Sequence, residues 1–214
     1  MSCVAEDLIK MSEKANILPS NHFGCRPGRS STDTLHYVVA AAKDAWRRGK
    51  VLGALFLDIR GAFPSVILER LLHNMRTKGI PKEYMEWIRR KVANRNTTIY
   101  LDDYTTPPML IPWGLDQGCP LSGIVYQFYS TGLIEIPNEN NGEGCVSFVD
   151  DTTITAEGKD LEDAFKKLEN IMTRQKGALD WAKTHDCQFA LDKFGLMGFT
   201  RRWEQNIAMG TKHS

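Results

Sequence analysis

Acidic side chains directly follow two short apolar runs of the sequence. Asp58 comes after residues 51–57, and Asp150 and Asp151 come after residues 145–149. The length and flanks of these runs indicate buried strands rather than helices. Neighbouring strands of a sheet lie about 4.8 Å apart. If the two runs pair, the three carboxyl groups meet at one end of the sheet.

Carboxylates that converge at a buried edge repel one another unless a cation lies between them. Their oxygens suit Mg²⁺, which usually completes its coordination with substrate phosphates. Two such ions can activate an attacking oxygen and neutralise a leaving phosphate. The three acids therefore favour a site for two-metal phosphoryl transfer. The alternative is that each is an ordinary strand-end or turn residue.

Two glycine-containing loops could contribute to the same chemistry. The loop 23–31 places Arg26 and Arg29 before a predicted helix, where a guanidinium and a helix N-terminus both favour phosphate. The loop 114–122 contains Gln117 and Gly118, and glycine allows the backbone to approach a ligand closely. Each loop could equally be a plain turn before a helix, with its polar side chains in solvent.

The pattern of apolar residues and turn formers predicts the elements that must position these groups. Helices are predicted over 4–16, 31–48, 65–77, 81–94, 121–133 and 160–185. Strands are predicted over 51–57, 97–101, 109–111, 145–149, 152–156, 188–191 and 196–200. This mixed order predicts an α+β fold, an antiparallel sheet with helices packed on one face.

Length and composition are those of a folded domain. The chain has 214 residues, 42% of them hydrophobic and 25% charged, which argues against disorder. No apolar run is long enough to cross a bilayer, and the first 20 residues do not look like a signal peptide. The five cysteines are scattered without zinc-site spacing, which favours a reducing intracellular compartment.

The formal net charge of +1 conceals a gradient along the chain. Residues 1–100 contain 17 Lys or Arg against 9 Asp or Glu, and the remainder contains 10 against 17. A basic stretch at 70–95 falls in the first part, and the Asp150-Asp151 pair falls in the second. The gradient is consistent either with solvated surfaces or with a basic surface for an anion and an acidic site for a cation.

Taken in order, these segments resemble the reverse transcriptase domain of non-LTR (LINE-type) retroelements, in a fungal-like form. The fingers motif of that family is similar to FGCRPGRSSTDTLH at 23–36. Its palm motifs are similar to LFLDIRGAFPSV at 55–66, WGLDQGCPLSGIVY at 113–126, FVDD at 148–151 and DCQFALDKFGLMGF at 186–199. The resemblance covers about residues 5–200, and five motifs in the right order make it specific.

The resemblance implies a right-hand polymerase palm with partial fingers and no thumb. On this basis we expect partial fingers over 1–50, a palm over 51–200 with a fingers-type insertion at about 65–112, and a loose tail over 201–214. The thumb, the endonuclease and the upstream fingers of the family would lie in a separate or lost segment.

The resemblance also implies a role for each candidate site residue. Asp58, Asp150 and the backbone carbonyl of Ile59 would hold two Mg²⁺ ions, or Mn²⁺, with Asp151 in the same metal group beside the primer end. Lys193 would act as a general acid toward the pyrophosphate leaving group. The incoming nucleotide would be contacted by Arg26 and Arg29 at its triphosphate, by Phe63 as a barrier to a ribose 2′-OH, and by Gln117 and Gly118.

The function implied is an RNA-directed DNA polymerase that extends a DNA primer on an RNA template with dNTPs, in the nucleus. The alternative is a catalytically inactive retroelement remnant that retains the palm fold and at most binds nucleic acid. A different two-metal phosphotransferase or nuclease is a third possibility. A carboxylate at Asp116, beside the nucleotide loop, is predicted to repel a triphosphate.

Overall fold

The structure is a computed structural model that describes residues 2–201. Its helices are α1 (Ser2–Lys14), α2 (Ser31–Arg47), α3 (Leu68–Thr77), α4 (Lys82–Val92), α5 (Pro120–Ile134), α6 (Leu161–Thr173) and α7 (Ala178–Thr184). Its strands are β1 (Val51–Leu57), β2 (Arg95–Thr97), β3 (Tyr100–Leu101), β4 (Tyr104–Thr105), β5 (Met109–Ile111), β6 (Glu143–Phe148), β7 (Asp151–Gly158) and β8 (Gly195–Phe199).

Four strands form the central sheet, in the order β6-β7-β1-β8. All three pairings are antiparallel, and the β1–β7 ladder runs from Val51 opposite Gly158 to Leu57 opposite Thr152. The apolar run of β1 lies in the interior of this sheet because it can bury side chains on both faces. The predicted α+β fold with an antiparallel sheet is therefore confirmed.

Helices cover both faces of the sheet, which corrects the expectation of a single helical face. Leu52 and Ala54 of β1 pack against α2. Between them, Gly53 faces α6 so closely that an added Cβ would lie 3.1 Å from Leu168 and Phe165. Successive side chains of a strand point to opposite faces. The second helical layer forms because β1 is apolar on both sides.

Helix α5 forms the centre of the main core. It is buried around its whole circumference from Leu121 to Thr131, as expected of a helix that is apolar on every side. Helices α1, α3 and α7 pack around it. Pro120 begins the helix at a position where a backbone N–H has no intrahelical partner.

Several predicted elements differ from those observed. The helix predicted over 160–185 is divided into α6 and α7, because Lys176 adopts a left-handed φ of 60° and Gly177 lies against backbone carbonyls. The strand predicted over 188–191 is reduced to one bridge, between Phe189 and Ile59, followed by a single 3₁₀ turn at Leu191–Lys193. The predicted hairpin at 97–111 consists of two short ladders, β2–β5 and β3–β4.

No helix within residues 2–201 is long and apolar enough to cross a membrane. The expected fingers segment is not isolated from the palm, because α1 packs on α5 and α2 packs on β1 and β6. The domain boundaries at 50 and 65–112 stay predictions. Of the tail predicted over 201–214, residues 202–214 lie outside the described part of the chain.

Candidate active site

The three acids lie at one end of the central sheet. Asp58 follows the last residue of β1, Asp150 occupies the two-residue turn between β6 and β7, and Asp151 begins β7. Because Leu57 pairs with Thr152 in the last pair of the β1–β7 ladder, Asp58 and Asp151 each lie one residue beyond that pair. The predicted meeting of the two strand ends is therefore observed.

The electrostatics of Asp150 show that these carboxyl groups influence one another. Its side chain is partly buried. Burial is the main factor that raises the pKa of Asp150, and the negative charges of Asp151 and Asp58 raise it further. Like charges held together in this way favour the binding of a cation.

No group of three or more His, Cys, Asp or Glu side chains within residues 2–201 is arranged to hold a metal ion. The donors around Asp58 nevertheless suit a hard divalent cation. The carbonyl of Asp58 accepts from the Ala190 N–H at 2.9 Å, and the Arg60 N–H donates to the Gln188 carbonyl at 2.8 Å. Because successive carbonyls of an extended segment point to opposite edges, the carbonyl of Ile59 faces away from residues 188–190, on the side of β7. Carboxylates and a carbonyl on one edge are the ligand types that Mg²⁺ prefers.

Lys193 contacts the same acid. Its ammonium nitrogen lies 2.9 Å from Oδ2 of Asp58, and this hydrogen bond raises the pKa of Lys193. Lys193 belongs to the 3₁₀ turn before β8, in which Asp192 pairs with Arg60 at 2.8 Å. The structure thus brings Lys193 to Asp58, whereas its role as a general acid stays a prediction.

Arg26 faces the interior, which corrects its assignment to a nucleotide triphosphate. The residue is 6% exposed. Its guanidinium pairs with both oxygens of Glu13 and donates to the carbonyls of Pro19 at 2.6 Å and His22 at 3.0 Å. These contacts bury the guanidinium and attach the loop to α1, so Arg26 does not face a ligand.

Arg29 has the opposite surroundings. Its guanidinium lies over the ring of Phe23, 5.0 Å from the centroid, and donates to the carbonyl of Ser20. The side chain remains partly accessible to solvent. Of the two arginines in this loop, Arg29 is the one available to an anion.

Contacts that the sequence did not reveal attach this arginine loop to the acidic turn. The Phe23 N–H donates to the Ser147 carbonyl at 2.8 Å, and the Ser147 N–H donates to the Asn21 carbonyl at 3.0 Å. A Cβ added to Gly24 would lie 2.4 Å from the Val149 nitrogen. Because the partners are far apart in sequence, no local spacing marks them. In the sequence, only the glycine at position 24 indicates that another part of the backbone could approach this loop closely.

Phe63 is joined to the loop that carries Gln117. The ring of Phe63 packs on Tyr126 with centroids 5.1 Å apart, and its carbonyl accepts from the Leu115 N–H at 2.8 Å. Gln117 and Gly118 are exposed. Gly118 has a φ of 83° and no atom within 4 Å of an added Cβ. The loop tip is therefore open to an approaching ligand.

The charge of Asp116 is balanced within the protein. Arg95 forms an ion pair with it, and the ammonium of Lys91 lies 4.0 Å away. Arg95 also donates to the carbonyl of Gly114 at 2.6 Å. The repulsion of a triphosphate predicted for Asp116 is thereby reduced, and the carboxylate serves to hold the loop.

The protein-family model described as "Reverse transcriptase (RNA-dependent DNA polymerase)" matches residues 2–202. A "Probable RNA-directed DNA polymerase from transposon X-element" of Drosophila melanogaster is 24% identical over 198 residues, which cover 92% of this chain and 21% of that relative. The "RNA-directed DNA polymerase from mobile element jockey" of Drosophila funebris is 24% identical, covering 81% and 19%. The chain spans about a fifth of the length of these curated relatives.

Solved structures give the same fold. A telomerase from Candida tropicalis, determined in complex with a fragment of telomeric RNA, matches with a TM-score of 0.67 at 10% identity, over 91% of this chain and 33% of that one. This likeness confirms the right-hand polymerase fold. With the family match over nearly the whole chain, it confirms the resemblance of the five motifs to a reverse transcriptase domain. The chain belongs to the reverse transcriptase (RNA-dependent DNA polymerase) family.

Proposed function

We propose that this chain is the polymerase domain of a non-LTR retroelement, which extends a primer 3′-OH with dNTPs on an RNA template. One observation carries the proposal. The β1–β7 ladder brings Asp58 and the Asp150-Asp151 turn to one end of the sheet, beside Lys193. The same elements provide carboxylate and carbonyl oxygens for divalent cations.

Asp58, Asp150 and the Ile59 carbonyl would hold two Mg²⁺ ions, with Asp151 beside the primer end, and Mn²⁺ could replace them. When bound, such ions lower the pKa of the attacking hydroxyl and neutralise charge on the phosphates. The protein then contributes mainly by positioning and by electrostatic stabilisation. Asp58 and Asp150 fix the position of the 3′-oxygen relative to the α-phosphate. Lys193 donates a proton to the pyrophosphate as it leaves.

The remaining predicted residues would surround the incoming nucleotide. Arg29 offers a partly accessible guanidinium to the triphosphate. The exposed backbone at Gln117 and Gly118 approaches the base and sugar. Phe63 is held by its contact with Tyr126, and we assign it the exclusion of a ribose 2′-OH.

The partners belong to the same proposal. We infer an RNA template and a DNA primer from the nucleic-acid chemistry of the family. The curated relatives are longer than the stretch that this chain covers. A nuclear place of action is carried over from the family resemblance.

A primer-extension assay on an RNA template with Mg²⁺ or Mn²⁺ tests the proposal. We expect extension by the 214-residue chain and a loss of about a hundredfold or more in Asp58→Asn and Asp150→Asn, which remove charges that would hold the cations. Asp103→Asn is the matched control, because Asp103 is exposed at the turn between β3 and β4. No extension by the wild type, or equal extension by the variants, would favour the inactive remnant.

A further inference from the structure

One carboxylate of the acidic group already has a cationic partner within the protein. Oδ2 of Asp58 lies 2.9 Å from the ammonium of Lys193. On the basis of the proposed function, we propose that Lys193 is an internal counter-ion that occupies Asp58 until a divalent cation displaces it. The lysine and the cation then compete for the same carboxylate.

The turn that carries Lys193 is fixed to the end of β1 on both sides of Asp58. The backbone bonds from Ala190 to Asp58 and from Arg60 to Gln188 join the two segments. The ion pair between Arg60 and Asp192 adds a third connection, at 2.8 Å. The base of the lysine side chain therefore stays in place whether or not its ammonium contacts Asp58.

The ammonium itself is free to move. The Lys193 side chain is 65% exposed, whereas that of Asp58 is 26% exposed. An exposed lysine exchanges rotamers readily, and a divalent cation attracts a carboxylate more strongly than an ammonium does. Displacement thus needs no movement of the backbone.

The exchange links two roles of one residue. Without a cation, Lys193 balances part of the charge of Asp58, Asp150 and Asp151. With a cation bound at Asp58, the released ammonium remains within one side-chain length of the same site. The ammonium of Lys193 can then reach the leaving pyrophosphate, to which it donates its proton.

Because Lys193 competes with the divalent cation for Asp58, it lowers the affinity of the site for that cation. Replacement of Lys193 by an uncharged residue should strengthen cation binding, although it removes a group from the catalytic site. Exposed ion pairs are weak, so we expect a gain of about two- to fivefold in affinity. If Lys193 served catalysis alone, its replacement would leave the affinity for the cation unchanged.

Mn²⁺ binding to the whole 214-residue chain, followed through the electron paramagnetic resonance signal of free Mn²⁺, tests the inference without any turnover. We expect tighter binding in Lys193→Met and near wild-type binding in Lys193→Arg, which keeps the charge. Lys166→Met is the control for the loss of a distant cation, because Lys166 pairs with Glu162 on the exposed side of α6.

The outcomes separate the inference from the function on which it rests. If Asp58→Asn and Asp150→Asn abolish Mn²⁺ binding while Lys193→Met leaves the affinity unchanged or weaker, the counter-ion role is wrong and the metal site stands. Equal gains in Lys193→Met and Lys166→Met would also contradict it, since they would reflect total charge. If the wild type binds no Mn²⁺, or the two aspartate variants bind it normally, the proposed metal site itself is wrong.

Discussion

At the scale of single residues, two arginines of the same loop have different tasks. Arg26 is enclosed by Glu13 and two backbone carbonyls, whereas Arg29 lies at the surface on Phe23. The sequence shows two guanidiniums before a helix, which predicts an anion site. It cannot show that Glu13, on the preceding helix, approaches one of them, because that contact depends on how α1 packs.

These surroundings predict unequal effects on stability. We expect Arg26→Met to lower the free energy of unfolding by about 2–4 kcal/mol, since it leaves a carboxylate and two carbonyls without their donor. Arg29→Met should cost less than about 1 kcal/mol, because its contacts are exposed. Urea unfolding followed by circular dichroism measures both. Similar losses of unfolding free energy in the two variants would contradict the role of Arg26 in attaching the loop to α1.

The acids illustrate what residue types alone can predict. An apolar run followed directly by Asp indicates a strand end, and the structure brings the two such ends, at Asp58 and at Asp150-Asp151, to the same end of the sheet. The partial burial of Asp150 and the contact between Lys193 and Asp58 were not predictable to this detail. The contact depends on the bridge between Ile59 and Phe189 and on the turn that follows it, which carries Lys193.

At the scale of elements, the acidic turn is shaped by its neighbour as well as by its own sequence. Val149 has a φ of 59°, a conformation that is costly for a β-branched residue. Gly24 lies against its backbone, where no side chain would fit. The arginine loop therefore helps to hold the turn that presents Asp150.

Gly24→Ala tests this arrangement. The added methyl would lie 2.4 Å from the Val149 nitrogen, so the loop or the turn must shift. We expect a loss of about 1–3 kcal/mol in stability and a fall of at least about tenfold in primer extension, because a displacement of about 1 Å at a catalytic group is costly.

Gly28→Ala is the matched control for the Gly24 substitution. Gly28 is in the same loop with a φ of 70°, but no atom lies within 4 Å of an added Cβ. It should lose stability through backbone strain and keep most of its extension activity. Equal losses of activity in both variants would argue against a specific contact between Gly24 and the acidic turn.

Periodicity located most elements because it reflects burial directly. The bounds of β1 were predicted correctly from its apolar run. The division between α6 and α7 was missed because their apolar spacing continues across the break at Lys176 and Gly177. The second helical layer was missed because an apolar strand does not show how many of its faces are covered.

At the scale of the whole molecule, the charge gradient of the sequence is partly balanced by ion pairs. In the basic stretch 70–95, Lys78, Arg89, Lys91 and Arg95 form ion pairs. The described residues show no ion pair for Arg70, Arg76, Lys82 or Arg90. Fewer cations therefore remain for phosphates than the sequence suggests.

Two neighbouring arginines of α4 allow a direct test. We expect Arg90→Gln to weaken binding to an RNA–DNA primer–template and to reduce the slope of log K against log salt by about 1. Arg89→Gln should change the slope by less than half as much, because Glu69 already holds Arg89 at 2.5 Å. Fluorescence anisotropy at several KCl concentrations gives both slopes. If Arg89→Gln changed the salt slope more than Arg90→Gln does, the ion pair with Glu69 would not be keeping Arg89 from phosphates.

The β1–β7 ladder also has a consequence for how the active protein is formed. It joins segments separated by roughly ninety residues, and such distant contacts are slow to form because a long loop must close first. A slip of one residue would turn every side chain of a strand to the opposite face. A misaligned molecule could be compact and helical while its acids point apart. During refolding, the recovery of catalysis would therefore follow the alignment of these two strands rather than the return of helix.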